Sequence, residues 1–286
     1  MTVEYRHLSK AELDVQLSPS KSAKDPWGVL ARHEKVTAAL AARPDLRLSS
    51  DLAYGPGERQ RIDVVRPDVD RVVPCLVFLH GGFWQEGSKA GSGFAAAELA
   101  SLGLAHASVG YTLAPEASLS EIVAEVAVAL TTLGAEAAEL GIDPDRLIVA
   151  GHSAGAHLAA AIIAGAGGAE VAAMVAAAVL ISGVYDLAPI AASYVNEAVG
   201  MTAQEVTELS PLFLEPCRDV PIHLLVGGDE PEAFQVQTNA LYTSWQSKLS
   251  QITIDRVAGR DHFDVLDELS DPISTARRFI VDAVSG

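Results

Sequence analysis

Hydrophobic and polar positions change their period along the chain, and the changes divide it. Residues 1–44 are polar and tolerant of helix, with Pro19, Pro26 and Pro44 as punctuation, which predicts an extension that packs over the rest. Three short apolar runs follow at 46–53, 60–66 and 72–79, separated by Gly55-Pro56-Gly57 and by the polar stretch 67–71, and read as strands. The close spacing of the first two predicts an antiparallel start. From there helical and strand periods alternate: helix 88–101, strand 104–109, helix 119–140, strand 146–150, helix 154–164, strand 175–181. After Ile181 a segment broken by Pro189, Pro211 and Pro216 predicts a small cap over about 184–218. Strands at 222–226 and 252–257 then flank a helix at 231–249, and a last helix is expected over 272–283.

Alternation of this kind requires right-handed crossovers, so the expected fold is α/β: a mostly parallel twisted sheet with helices on both faces, as one domain over 45–286. The 286 residues suffice to bury a large core. The most apolar stretch, 158–183, contains Glu170 and the flexible Gly165, Gly167 and Gly168, and reads as a buried helix, a turn and a buried strand, too interrupted to span a membrane. A formal charge of −17 without a basic patch argues against nucleic acid or anionic membrane as partner. The expected partner is a small-molecule substrate, with a second copy of the chain, as a homodimer, the other candidate. The start of the chain has no apolar segment of the secretory type, and two cysteines make no disulfide framework, so a cytoplasmic location is expected. Cys75, inside an apolar run, reads as a small buried hydrophobe.

The chemistry concentrates where predicted strands end. Gly151-His152-Ser153-Ala154-Gly155 follows the strand 146–150 and opens a helix, the strand-turn-helix setting of a Gly-x-Ser-x-Gly nucleophile elbow. Ser153 is therefore the candidate nucleophile. A serine hydroxyl needs a base to take its proton and an acid to orient that base, and on such sheets they follow in the order Ser, Asp or Glu, His. His262, on the loop after the last strand, is the candidate base. In Gly227-Gly228-Asp229-Glu230 the favoured acid is Asp229, with Glu230, Glu232 and, one strand earlier, Asp186 as competitors. His80-Gly81-Gly82-Phe83-Trp84, directly after the strand 72–79, is placed to form an oxyanion hole. The N–H groups of Gly82, Phe83 and Ala154 are its expected donors. His-Glu-x-x-His, Cys-x-x-Cys and phosphate-loop patterns are absent from the sequence, so neither metal nor cofactor is expected.

His80-Gly81-Gly82-Phe83-Trp84 together with Gly151-His152-Ser153-Ala154-Gly155-Ala156-His157 resembles the arylformamidases, also called kynurenine formamidases, of the α/β-hydrolase fold. The tryptophan after His-Gly-Gly-x carries the distinction, since the related hormone-sensitive-lipase-type esterases have a third glycine and no tryptophan there. The similarity continues through Gly110 to Pro115, Val184 to Pro189 and Gly228 to Phe234, and covers roughly residues 50–269. It implies a triad of Ser153, Asp229 and His262 and an oxyanion loop of Gly81, Gly82 and Phe83. It also implies hydrolysis of an N-formyl amide such as N-formylkynurenine, with small esters as the alternative substrate class. A catalytically silent binding protein of this fold would have lost a triad member, and here all three are present. Phe83 and Trp84 are candidates for an aromatic wall beside the leaving group, with Tyr111, Tyr185, Tyr194 and Asn196 as further substrate contacts.

Overall fold

The computed structural model describes residues 7–284, so the first six residues of the predicted extension lie outside the described residues. Eight strands form one sheet: β1 (Leu46–Ala53), β2 (Arg61–Pro67), β3 (Val73–Leu79), β4 (Ala105–Val109), β5 (Ile142–His152), β6 (Val175–Ile181), β7 (Ile222–Gly227) and β8 (Ile252–Val257). Their order is β1-β2-β4-β3-β5-β6-β7-β8. Only β1 and β2 run antiparallel to their neighbours, and the other pairings are parallel. The central strands are apolar on both faces, as strands covered by helices on both sides must be: every residue of β3, β4 and β7 is buried.

The helices are α1 (Lys10–Gln16), α2 (Pro19–Ser22), α3 (Pro26–Ala39), α4 (Ala96–Ser101), α5 (Leu119–Ala135), α6 (Ala137–Leu140), α7 (Ala154–Ile163), α8 (Ala169–Ala173), α9 (Leu187–Ala191), α10 (Asn196–Val199), α11 (Ala203–Glu208), α12 (Glu232–Trp245) and α13 (Thr275–Val284). One apolar core, which includes α5, α7 and α12, lies on one side of the sheet, and a second joins Phe94, Leu99, Leu266, Phe279 and Ile280 to the outward positions of β3, β5 and β6. Side chains alternate between them along β3: Cys75 and Val77 enter the first, Leu76 and Phe78 the second. Within the first core the Cys75 thiol is fully buried, and burial pushes it up to about 12.

Two predicted helices are interrupted. The helix expected over 88–101 becomes a 3-10 turn, Lys89–Gly91, followed by α4, because Gly91 and Gly93 weaken the intervening turn. That expected over 119–140 divides at Glu136, and Gly141 ends α6 in the left-handed conformation. The polar extension folds into α1 to α3, and α9 to α11 occupy the connection between β6 and β7 where the cap was expected. No helix among the described residues is long and apolar enough to cross a membrane.

Candidate active site

In this strand order β3, β5, β6, β7 and β8 are successive neighbours, so five loops at the carboxyl end of the sheet lie side by side. Segments far apart in sequence thereby reach one site: the Gly81–Phe83 loop after β3, Ser153 after β5, Ser182 after β6, Glu230 after β7 and His262 after β8. Ser153 holds φ 54° and ψ −116°, a conformation that a side-chain-bearing residue adopts only when its surroundings impose it. Its N–H donates to the Ile181 carbonyl at 2.8 Å, and α7 begins at the next residue. Gly155 permits the turn, since a Cβ there would fall 2.0 Å from the Leu79 carbonyl oxygen. A helix packed this close to β3 keeps the Ser153 hydroxyl directly above the sheet.

His262 is buried, and its Nδ1 lies 2.6 Å from Glu230 Oε2. The other carboxylate oxygen of Glu230 accepts from the Gly227 N–H at 2.6 Å and the Ser182 hydroxyl at 2.5 Å. Glu230 is thus a side chain with no exposed surface and a full set of donors, the requirement for holding a carboxylate charge in the interior. This corrects the expectation for Asp229. Its carboxylate is half-exposed and faces away from His262, accepting from Lys24 Nζ at 3.0 Å. The reason is one residue of register. β7 continues through Gly227, still paired with Val257, so the loop turns later than the sequence suggests and sends Asp229 outward and Glu230 inward. The remaining competitors are placed elsewhere: Asp186 caps α9 by accepting from the Ala188 N–H, and Glu232 is exposed in the first turn of α12.

His152 supports His262 from the other side. Its Nε2 donates to the His262 carbonyl at 2.8 Å, and the two rings are 4.6 Å apart. Burial, and then the neighbouring His262, hold His152 well below the usual imidazole range, so it acts as a neutral donor. Phe234 packs against the other flank of His262, at 4.3 Å between ring centroids.

The loop after β3 has three consecutive residues of positive φ: Gly82 at 108°, Phe83 at 46° and Trp84 at 60°. Such strain in side-chain-bearing residues clusters at functional sites. A Cβ at Gly82 would lie 2.4 Å from the Glu86 carbonyl oxygen, which itself belongs to the turn closed by the Gln85 and Glu86 N–H groups on the Gly82 carbonyl. Among the described residues the N–H groups of Gly82 and Phe83 have no protein acceptor, and that of Ala154, in the first turn of α7, has none within its helix. These are the three expected oxyanion donors. His80 props the loop: its Nδ1 is 2.8 Å from the Gly81 carbonyl, and the Tyr111 ring stacks on it at 4.2 Å while the Tyr111 hydroxyl donates to the His80 carbonyl.

A cavity of about 380 Å³ opens over these groups, lined by Ser153, His262, Gly81, Gly82 and Phe83 among others. Of the expected substrate contacts, Tyr194 and Phe83 line it. Trp84, Tyr111 and Tyr185 do not, because each is fully buried in the core, Trp84 with its indole edge-on to His157 at 5.0 Å. Asn196 instead begins α10, its side-chain oxygen accepting from the Met201 N–H just beyond the other end of that helix. Sequence reasoning ranked Glu230 behind Asp229 as the partner of His262 and missed the N-terminal segment as a wall of the cavity, to which Pro19, Ser20, Trp27, Leu30 and Glu34 contribute. A larger hollow of about 520 Å³ beside Tyr54, Thr112 and Glu125 contains neither Ser153 nor His262. Among the described residues no group of three or more His, Cys, Asp or Glu side chains is arranged to hold a metal ion.

Residues 76–263 match a family described by the α/β hydrolase fold. The chain is 31% identical over 282 residues to a kynurenine formamidase of Danio rerio, covering 94% of each chain, and 32% identical over 284 residues to that of Salmo salar, covering 93% of this chain and 94% of the other. It also superposes on a solved structure from Silicibacter sp. TM1040 with a TM-score of 0.81 at 30% identity, covering 96% of this chain and 99% of that one.

Proposed function

This chain belongs to the arylformamidase family of α/β-hydrolases, hydrolases that act on amide bonds, and from that premise we propose that it cleaves N-aryl formamides such as N-formylkynurenine by way of a formyl-serine intermediate. The observation that carries this reading is Ser153, held in a strained elbow at the floor of a cavity that also exposes His262, whose far nitrogen is bound by the buried Glu230. In the proposed reaction the Nε2 of His262 takes the Ser153 proton as Oγ attacks the formyl carbon. Glu230 holds Nδ1 protonated and stabilises the imidazolium that results. The charge on the carbonyl oxygen goes to the N–H groups of Gly82, Phe83 and Ala154, each such donor contributing about 3 kcal/mol. His262 returns the proton to the leaving nitrogen, the arylamine departs, and a water deprotonated by the same imidazole releases formate from Ser153.

Purified protein given N-formylkynurenine or formanilide should release formate, and Ser153→Ala should abolish the release. The same machinery cleaves activated esters, so nitrophenyl acetate is the comparison substrate. Turnover of the formamides no faster than that of the ester would replace this reading with that of a small-ester carboxylesterase. Loss of activity in Ser153→Ala but not in His262→Ala would overturn the assigned base.

A further inference from the structure

The N-terminal segment does more than pack on the sheet. Asp25 caps α3 by accepting from the Gly28 N–H, and Pro26 fixes its first turn. The face bearing Pro26, Val29 and His33 is buried. His33 stacks on Phe94 at 4.2 Å and reaches Asp267 at 3.0 Å, while Arg32 grips the same carboxylate through both of its oxygens. The adjacent face carries Trp27, Leu30 and Glu34 at helical spacing, and all three line the cavity that contains Ser153.

Trp27 is 68% exposed and Leu30 36%, and Tyr194, which also lines the cavity, is 38% exposed. Three large apolar side chains left open to solvent around one cavity call for an apolar occupant. Trp84 and Trp245, the other two tryptophans of the chain, are fully buried, so the exposure of Trp27 is specific to this place.

The segment is also tied to the catalytic loops. The Lys24 N–H donates to Asp261 Oδ2 at 2.9 Å, and Lys24 Nζ donates to Asp229 and to the Gly259 carbonyl. Asp261 is buried, and its other oxygen accepts from the N–H groups of Phe263 and Asp264, the two residues that follow His262. Burial opposes charge on Asp261, yet these N–H groups and Lys24 hold its carboxyl below the usual carboxylate range. Position of the wall and position of the base are therefore set by one carboxylate.

We propose that α3 is the leaving-group wall of the active site, with Trp27 as the surface on which the aromatic ring of the departing amine stacks and Asp261 as the latch that holds this wall beside His262. The proposal rests on Ser153 and His262 being the reacting pair, and it assigns to Trp27 the selection of the planar leaving group proposed above over an aliphatic one of similar length. The ring would face Trp27 and Leu30 on one side and Phe83 and Tyr194 on the other, in offset or edge-on contact.

Two measurements on the full chain test it. The first is the ratio of kcat/KM for formanilide to that for N-propylformamide. In Trp27→Ala this ratio should fall about tenfold, chiefly through KM for formanilide, and Trp27→Phe should restore it to within about threefold. The second is tryptophan emission of Ser153→Ala titrated with acetanilide. Saturable quenching is expected, and it should vanish when Trp27→Phe is added, since the remaining tryptophans are buried. An unchanged ratio in Trp27→Ala with Ser153-dependent turnover intact overturns the wall while leaving the proposed function standing. If no Ser153-dependent amide turnover exists, the proposed function fails, and the titration alone decides whether α3 binds a ring; an emission that acetanilide does not move overturns it.

Discussion

At the scale of single residues, the decisive contrast is between two neighbouring carboxylates. Glu230 has its charge satisfied by a serine hydroxyl, a backbone N–H and the His262 imidazole, all at 2.6 Å or less, in a place without solvent. Asp229 shares an exposed lysine, and such solvent-screened surface pairs contribute little. Glu230→Gln keeps the volume but removes the charge that fixes the tautomer of His262, and is expected to lower kcat on formanilide by about 10²–10⁴-fold. Asp229→Asn is expected to stay within about threefold of the native enzyme. Steady-state kinetics on both variants check this, and an Asp229→Asn loss as large as that of Glu230→Gln would return the acid role to Asp229. The sequence could not separate the two, because both follow the same pair of glycines. Only the pairing of Gly227 with Val257 decides which side chain turns inward.

At the scale of elements, the site depends on loops whose backbone is held in unusual conformations by the strands beneath them. The Gly81–Phe83 loop and the elbow lie together because β3 and β5 are neighbours, with Leu79 opposite Gly151 in the ladder. The loop keeps its amides pointed at the cavity only with φ 108° at Gly82. Gly82→Ala is expected to shift this loop, because a methyl group would meet the Glu86 carbonyl at 2.4 Å. The expected result is a fall in kcat of about 10²-fold, the effect of one misplaced oxyanion donor, with KM for formanilide changed much less. A Gly82→Ala enzyme with native kcat would remove this loop from the reaction. The glycines themselves were legible in the sequence as markers of close backbone approach. Which aromatic side chains face the substrate was not, since Trp84 sits beside Phe83 in sequence yet is fully buried in the core while Phe83 lines the cavity.

At the scale of the whole molecule, folding buries imidazoles as neutral groups. Burial pushes His80, His106 and His157 down to about 4, only partly opposed by the backbone hydrogen bond each makes, and also holds His152 well below its ordinary value of 6.5. In the unfolded chain these rings take up protons near 6.5. Between pH 6.5 and 4 the unfolded state therefore binds more protons than the native one, and stability falls as pH is lowered, by up to about 1.4 kcal/mol per pH unit for each ring. Above 6.5 this contribution is fully present and constant. Thermal unfolding followed at half-unit steps should show Tm steady from pH 8 to 7 and declining steadily below 6.5. A Tm unchanged down to pH 4.5 would contradict the burial of these rings in their neutral form.

The sequence alone determined the alternating order of strands and helices, the elbow around Ser153, the glycine loop before Trp84 and a histidine on the last loop. Those are local signals: a period of side chains, a glycine where the backbone must come close, and chain order on a parallel sheet. The tertiary structure decided which carboxylate meets His262, the burial of Trp84, Tyr111 and Tyr185, and the use of α3 as a wall of the cavity. Each of these depends on register or on packing between segments more than 30 residues apart. A one-residue shift at the end of β7 reverses the direction of a side chain, and no local pattern records that.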